Sequence, residues 1–134
     1  MFFKEKFIKY LEANKIPFRK EESLLFLKIK GSNEESFEVY LRFDENSIAL
    51  GLAKGLTYEK DREIDVLEIL NEINSLEDNY IKFKVCNGMI LSDVNIPILS
   101  ADINYKKLEE IILDFVATME MYLRDIYEVL EEEV

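Results

Sequence analysis

Histidine is absent from the chain, and cysteine occurs once, at Cys86. Without histidine the commonest general base and the commonest metal ligand are both missing. A zinc site needs several Cys or His side chains, and one cysteine cannot supply it. No metal, no cofactor and no catalytic constellation is therefore expected, and the chain is not read as an enzyme. A single cysteine also excludes an intramolecular disulfide, which points to a reducing compartment and a cytoplasmic protein. Long apolar runs are missing too. Nothing approaches the roughly 18 uninterrupted apolar residues that a membrane span requires. The start, MFFKEKFIKYLEANKIPF, is broken by charges every few residues and is not a signal peptide. Glycine is scarce, and GLAKGLT (Gly51 to Thr57) lacks the spacing of a P-loop, so Gly51 and Gly55 are expected to ease strand packing. Cys86 itself, with no base nearby in sequence, reads as a half-buried small hydrophobe.

The residues that are present suit one folded domain. The 134 residues are 49% hydrophobic, and the formal net charge is -11. That balance repels phosphate backbones, so nucleic acid is not an expected partner. The charge is uneven. Lys4, Lys6, Lys9, Lys15, Arg19 and Lys20 make the N-terminal part basic, whereas Glu120, Asp125, Glu128 and Glu131 to Glu133 make the C-terminal part acidic.

Hydrophobic spacing supplies the elements. Phe3, Phe7, Tyr10 and Leu11 mark an amphipathic helix that should stop before Pro17. LLFLKIK, SFEVYLRF and SIALGLA read as three strands joined by short polar links, hence an antiparallel meander. Val66, Leu67, Leu70 and Ile73 give a second helix, with Asp65 and Glu68 resembling a capping box at its start and Asp61 an alternative cap about a turn earlier. Asn87-Gly88 then marks a two-residue hairpin turn, which sets Val85 opposite Ile90, Phe83 opposite Ser92 and Lys82 opposite Asp93. A last helix is expected from an N-cap at Asn104, with Leu108, Ile111, Ile112, Phe115, Met119, Tyr122, Leu123, Ile126 and Leu130 on its core face. Its acidic end, EEEV, should fray. The order is α-β-β-β-α-β-β-α. This is an α+β domain with an antiparallel sheet of about five strands packed against helices.

Two poor helix formers, Asn71 and Asn74, sit three residues apart in the second helix. Asn74 suits a left-handed C′ position that ends the helix, and Asn71 could satisfy loose carbonyls or a strand edge. Both readings are architectural: the helix is being stopped and docked on a sheet.

The stretch LEILNEINSLEDNYIKFKVCNGMILSDVNIPI, Leu67 to Ile98, resembles the YbjN-type domain family. The likeness rests on Leu70-Asn71 with Asn74 at a helix end, on the Asn87-Gly88 turn, and on the segment Asp93 to Pro97 after it. The resemblance implies a fold similar to that of type III secretion chaperones, which are small, acidic, often dimeric, and bind segments of other proteins.

Two functions from different classes fit these residues. One is a non-catalytic protein-binding module, chaperone-like or adaptor-like. Leu113, Ala117 and Met121, with Arg124 adjoining, form an apolar stripe on the back of the last helix and are its candidate contact residues, toward another protein or a homodimer partner. That stripe could instead lie under the N-terminal helix. The other function is a small-ligand-binding regulator or enzyme built from scattered carboxylates, Tyr58, Tyr80 and the hairpin. A concave pocket joining those groups would favour the second, and a flat or grooved apolar surface the first.

Overall fold

The computed structural model describes residues 2–31, 36–77, 79–97 and 104–131. Helix α1 (Phe2–Ala13) is followed by strands β1 (Phe18–Glu21), β2 (Leu24–Lys30), β3 (Ser36–Phe43), β4 (Ser47–Leu52) and β5 (Leu56–Thr57). Helix α2 (Glu63–Asn74), the hairpin β6 (Lys82–Cys86) and β7 (Met89–Pro97), and helix α3 (Tyr105–Glu131) complete the domain. All five anticipated strands are present, and two short ones, β1 and β5, extend the antiparallel sheet to seven.

The sheet runs β1-β2-β3-β4-β7. Asp93 of β7 pairs with both Gly51 and Lys82, so β4 and β6 flank β7 on opposite sides. Along β2, β3, β4 and β7 one set of alternating residues is buried: Leu25 and Leu27, Val39 and Leu41, Ile48 and Leu50, Val94 and Ile96. These meet Phe7 and Leu11 of α1, Val66, Leu70 and Ile73 of α2, and Leu108, Ile112, Phe115, Met119 and Ile126 of α3. All three helices thus cover one face, and among the described residues no helix covers the opposite, bare face of the sheet. Period two in the strands and period 3.6 in the helices meet in one core. Val116, next to Leu123 on the helical projection, joins that core as well.

Helix α1 ends where Lys15 turns left-handed (φ 57°) and the amide of Ile16 donates to the Leu11 carbonyl, two residues before Pro17. The hairpin has the anticipated register, with Lys82 facing Asp93, Phe83 facing Ser92 and Val85 facing Ile90. Both turn residues are left-handed, Asn87 at φ 50° and Gly88 at φ 76°. Asn87→Ala is expected to lower stability by about 1 kcal/mol, because alanine gains little in that conformation; a urea midpoint unchanged from the parent would contradict this.

The second helix departs from expectation at both ends. No side chain caps its start, and Asp65 does not form a capping box. Asp65 instead holds Arg62 (2.9 Å), whose guanidinium donates to the carbonyls of Val129 (2.5 Å) and Leu130 (2.9 Å) at the end of α3. A cation there complements the negative end of the α3 dipole. At the other end Asn74 is not left-handed; the chain leaves through Ser75 at φ -86°. The Asn74 amide is used on the sheet edge: Nδ2 donates to the Phe83 carbonyl (3.1 Å) and Oδ1 accepts from the Phe83 amide (3.0 Å). It replaces the missing neighbour strand at that point of β6. Asn71 is exposed, and its carbonyl accepts from the Ser75 amide and hydroxyl.

Cys86 is exposed rather than half-buried. It is the last residue of β6 and pairs with Met89 on the bare face, where no helix reaches it. Of the EEEV end Glu131 closes α3, and residues 132–134 lie outside the described part, as does Ile98. No helix of the described residues is long and apolar enough to cross a membrane.

Candidate partner-binding surface

Helix α3 is set by its cap. The Asn104 side chain accepts from the Lys107 amide (2.8 Å), and its carbonyl accepts from the Leu108 amide (3.0 Å). This fixes the rotation of the helix, so the broad apolar face enters the core and the back of the helix faces solvent. Helix α1 crosses only the start of α3, where the Tyr10 hydroxyl donates to Glu109 (2.6 Å) and the Phe3 and Tyr105 rings lie 5.4 Å apart. The carboxylate of Glu109 raises the Tyr10 pKa, first through that hydrogen bond. The stripe is therefore uncovered: Leu113 is 48% and Met121 45% exposed, and Ala117 and Arg124 are exposed between and beside them.

Acids ring this stripe. Glu110, Asp114, Asp125 and Glu128 are exposed on the same side of the helix, with Arg124 among them and Lys106 and Lys107 at its start. A groove of about 280 Å³ continues the surface past Arg124, between Phe37, Leu123 and Tyr127. Tyr127 is 45% exposed and was missed in the sequence reading, although its position three residues after Arg124 puts it one turn further along the same helix.

The groups singled out for a ligand site do not converge. The Tyr58 hydroxyl donates to Glu63 (2.9 Å) at the start of α2, beside Arg62 and Leu130. The Tyr80 hydroxyl donates to Asp114 (2.8 Å) beyond the other end of that helix. Tyr80 does border a cleft of about 580 Å³ with Lys107, Glu110, Asp114 and Pro97, while the Asn87-Gly88 turn takes no part in it. Burial, and then the Asp114 hydrogen bond, push the Tyr80 pKa up to about 12. A raised tyrosine pKa favours the folded state while the phenol is neutral. Its contribution is thus constant below pH about 10 and is lost as pH rises toward 12. In a phenolate absorbance titration, Tyr80→Phe should remove one late-titrating group; a parent curve with no component above pH 11 would count against it. Among the described residues no three His, Cys, Asp or Glu side chains are placed to hold a metal ion.

No protein-family model matches the chain, and no curated protein matches it. Among solved structures it is similar to that of YbjN, "a putative transcription regulator from E. coli", at 13% identity and a TM-score of 0.60. The match covers 95% of this chain and 88% of that one. The chain has the YbjN fold, as the Leu67 to Ile98 resemblance implied.

Proposed function

We propose that this domain is a non-catalytic protein-binding module of regulatory or adaptor type, which uses the outer face of α3. The observation that carries the proposal is the uncovered stripe Leu113-Ala117-Met121 within its acidic ring. Scattered exposed apolar residues are ordinary, but here two long ones flank a small one at helical spacing, with a groove alongside. Ala117 lets a partner backbone approach closely. Burying the rest of Leu113 and Met121 contributes on the order of 1 kcal/mol each. The ring selects a basic amphipathic segment. A symmetric α3-to-α3 seam would set the acids of two copies against each other, whereas the basic α1 of a second copy or a basic helix of another protein would neutralise them. The E. coli neighbour is named as a transcription regulator; at a net charge of -11 a regulatory role of this chain suits a protein contact better than one with phosphates.

Leu113→Glu with Met121→Glu is expected to weaken self-association, read by light scattering, or affinity for a basic amphipathic peptide, read by calorimetry, at least tenfold. The urea midpoint should stay within experimental error, since neither side chain is core. A monomeric parent with no peptide affinity, or a double mutant that unfolds, would overturn the proposal. The Tyr80 cleft supports a second reading, a small-ligand-binding regulator; ligand-dependent shifts in melting temperature that Lys107→Ala abolishes would favour it.

A further inference from the structure

The bare face of the sheet carries a charge opposite to that of the whole chain. Register places Arg19, Phe26, Tyr40, Gly51, Asp93 and Lys82 side by side, one from each strand but β5, in a single row across that face. The Arg19 guanidinium stacks on the Phe26 ring, 4.1 Å from its centroid. The Tyr40 ring lies flat across Gly51, close enough that a Cβ there would come within 2.6 Å of it. Tyr40 is partly exposed on that face. Lys28, Lys84 and Arg42 flank the row on the same face and are exposed, as is Lys30. Against these cations stand Glu21, Glu38, Asp44 and Asp93, of which Glu21 and Glu38 both contact Arg19 and Asp44 holds Arg42 (3.2 Å). Basic residues are in excess on this face, whereas the chain as a whole has Asp and Glu in excess.

The acids on the outer side of α3 do not cancel this field. They lie beyond a helix about 10 Å thick, and the Debye length at physiological salt is about 8 Å. We infer that the bare sheet face is a second docking surface, for an acidic segment of another protein that carries an aromatic side chain. The aromatic group stacks on Tyr40, and sparse carboxylates meet Lys28 and Lys84, since Arg42 already holds Asp44. A single-stranded nucleic acid fits less well. It brings a phosphate at every nucleotide, so it cannot avoid Glu21, Glu38 and Asp93, and one face of Phe26 is already taken by Arg19. Leu24 and Leu91, partly buried on the same face, suit apolar side chains.

The test uses a fluorescent glutamate–tyrosine copolymer, with anisotropy as the readout and oligo-dT as competitor. Binding is expected at low salt and should weaken as salt rises. Lys28→Glu with Lys84→Glu should raise Kd at least tenfold, and Tyr40→Ala severalfold. Far-ultraviolet dichroism and the urea midpoint serve to show that the variants fold. Leu113→Glu with Met121→Glu should leave this binding unchanged, so failure here and failure of the α3 proposal are separable. Absence of binding, insensitivity to the charge reversal, or displacement by oligo-dT at lower concentration than unlabelled copolymer would each overturn the inference, the last in favour of a nucleic-acid platform.

Discussion

Replacing Asn79 with alanine is expected to lower stability by about 3 kcal/mol in a urea titration, with the slope unchanged. Asn79 is 7% exposed and makes three hydrogen bonds to backbone. Its Nδ2 donates to the carbonyls of Ile73 (3.0 Å) and Ile81 (2.7 Å), and its Oδ1 accepts from the Ile81 amide (3.0 Å). Ile73 sits in the last turn of α2, where carbonyls lack helical partners, and Ile81 is fully buried just before β6. Truncation orphans both backbone groups of Ile81, whereas the Ile73 carbonyl keeps the Leu76 amide (3.2 Å). Each buried orphan costs about 1 to 3 kcal/mol, and partial access of water keeps the sum near the lower end. Asn79→Asp should be nearly as harmful, because a carboxylate would face two carbonyls. Asn74→Ala should cost less, about 1 kcal/mol, since Phe83 lies near the sheet edge. A loss below about 1 kcal/mol for Asn79→Ala would mean that α2 is held to the sheet by packing alone.

That contrast shows where sequence reasoning stops. Local chemistry was legible. Asn87-Gly88 announced its turn and so the whole hairpin register, because two left-handed residues in succession leave few alternatives. Asn104 announced a cap, and the spacing of Leu108 to Ile126 announced a buried face. Long-range amide chemistry was not legible. The spacing gave Asn74 a left-handed stop and Asn71 a strand edge, but it is Asn74 that bonds the strand edge nine residues on. Asn79 gave no periodic signal, because its partners lie on either side of a bend. Arg62 likewise drew Asp65 away from capping through carbonyls 67 and 68 residues distant. Strand β1 was passed over since FRKE has no alternation to show; only its pairing with Leu24 to Leu27 makes it a strand. The candidate surface was half legible. Projection found Leu113, Ala117, Met121 and Arg124, but whether α1 covered them depended on a crossing that the pattern does not encode. The cationic bare face was invisible for the same reason, since its row is assembled from six strands and exists only once register is known.

Gly51→Ala offers a case in which intrinsic preference and geometry predict opposite signs. Within a strand, alanine is better than glycine by about 0.5 to 1 kcal/mol, because glycine loses more backbone freedom on folding. Propensity alone therefore predicts a gain. The structure predicts a loss of about 2 to 3 kcal/mol. A Cβ at Gly51 would lie 2.5 Å from the Ser92 carbonyl oxygen and 2.6 Å from the Tyr40 ring. The ring can swing aside at modest cost. The carbonyl cannot, since Ser92 lies in β7 between the partners of β4 and β6, and its displacement strains both ladders. The double variant Gly51→Ala with Tyr40→Ala separates the two obstacles. If the ring were the only one, removing it would restore the propensity gain; if the carbonyl dominates, most of the loss persists, and the coupling between the sites stays below about 1 kcal/mol. The second result is expected. The variant also probes the bare face, because a lifted Tyr40 ring no longer lies flat against the sheet. Gly51→Ala should then weaken binding of the glutamate–tyrosine copolymer in proportion to the loss seen with Tyr40→Ala. A Gly51→Ala protein more stable than its parent would show that β4 and β7 have room that the 2.5 Å approach denies.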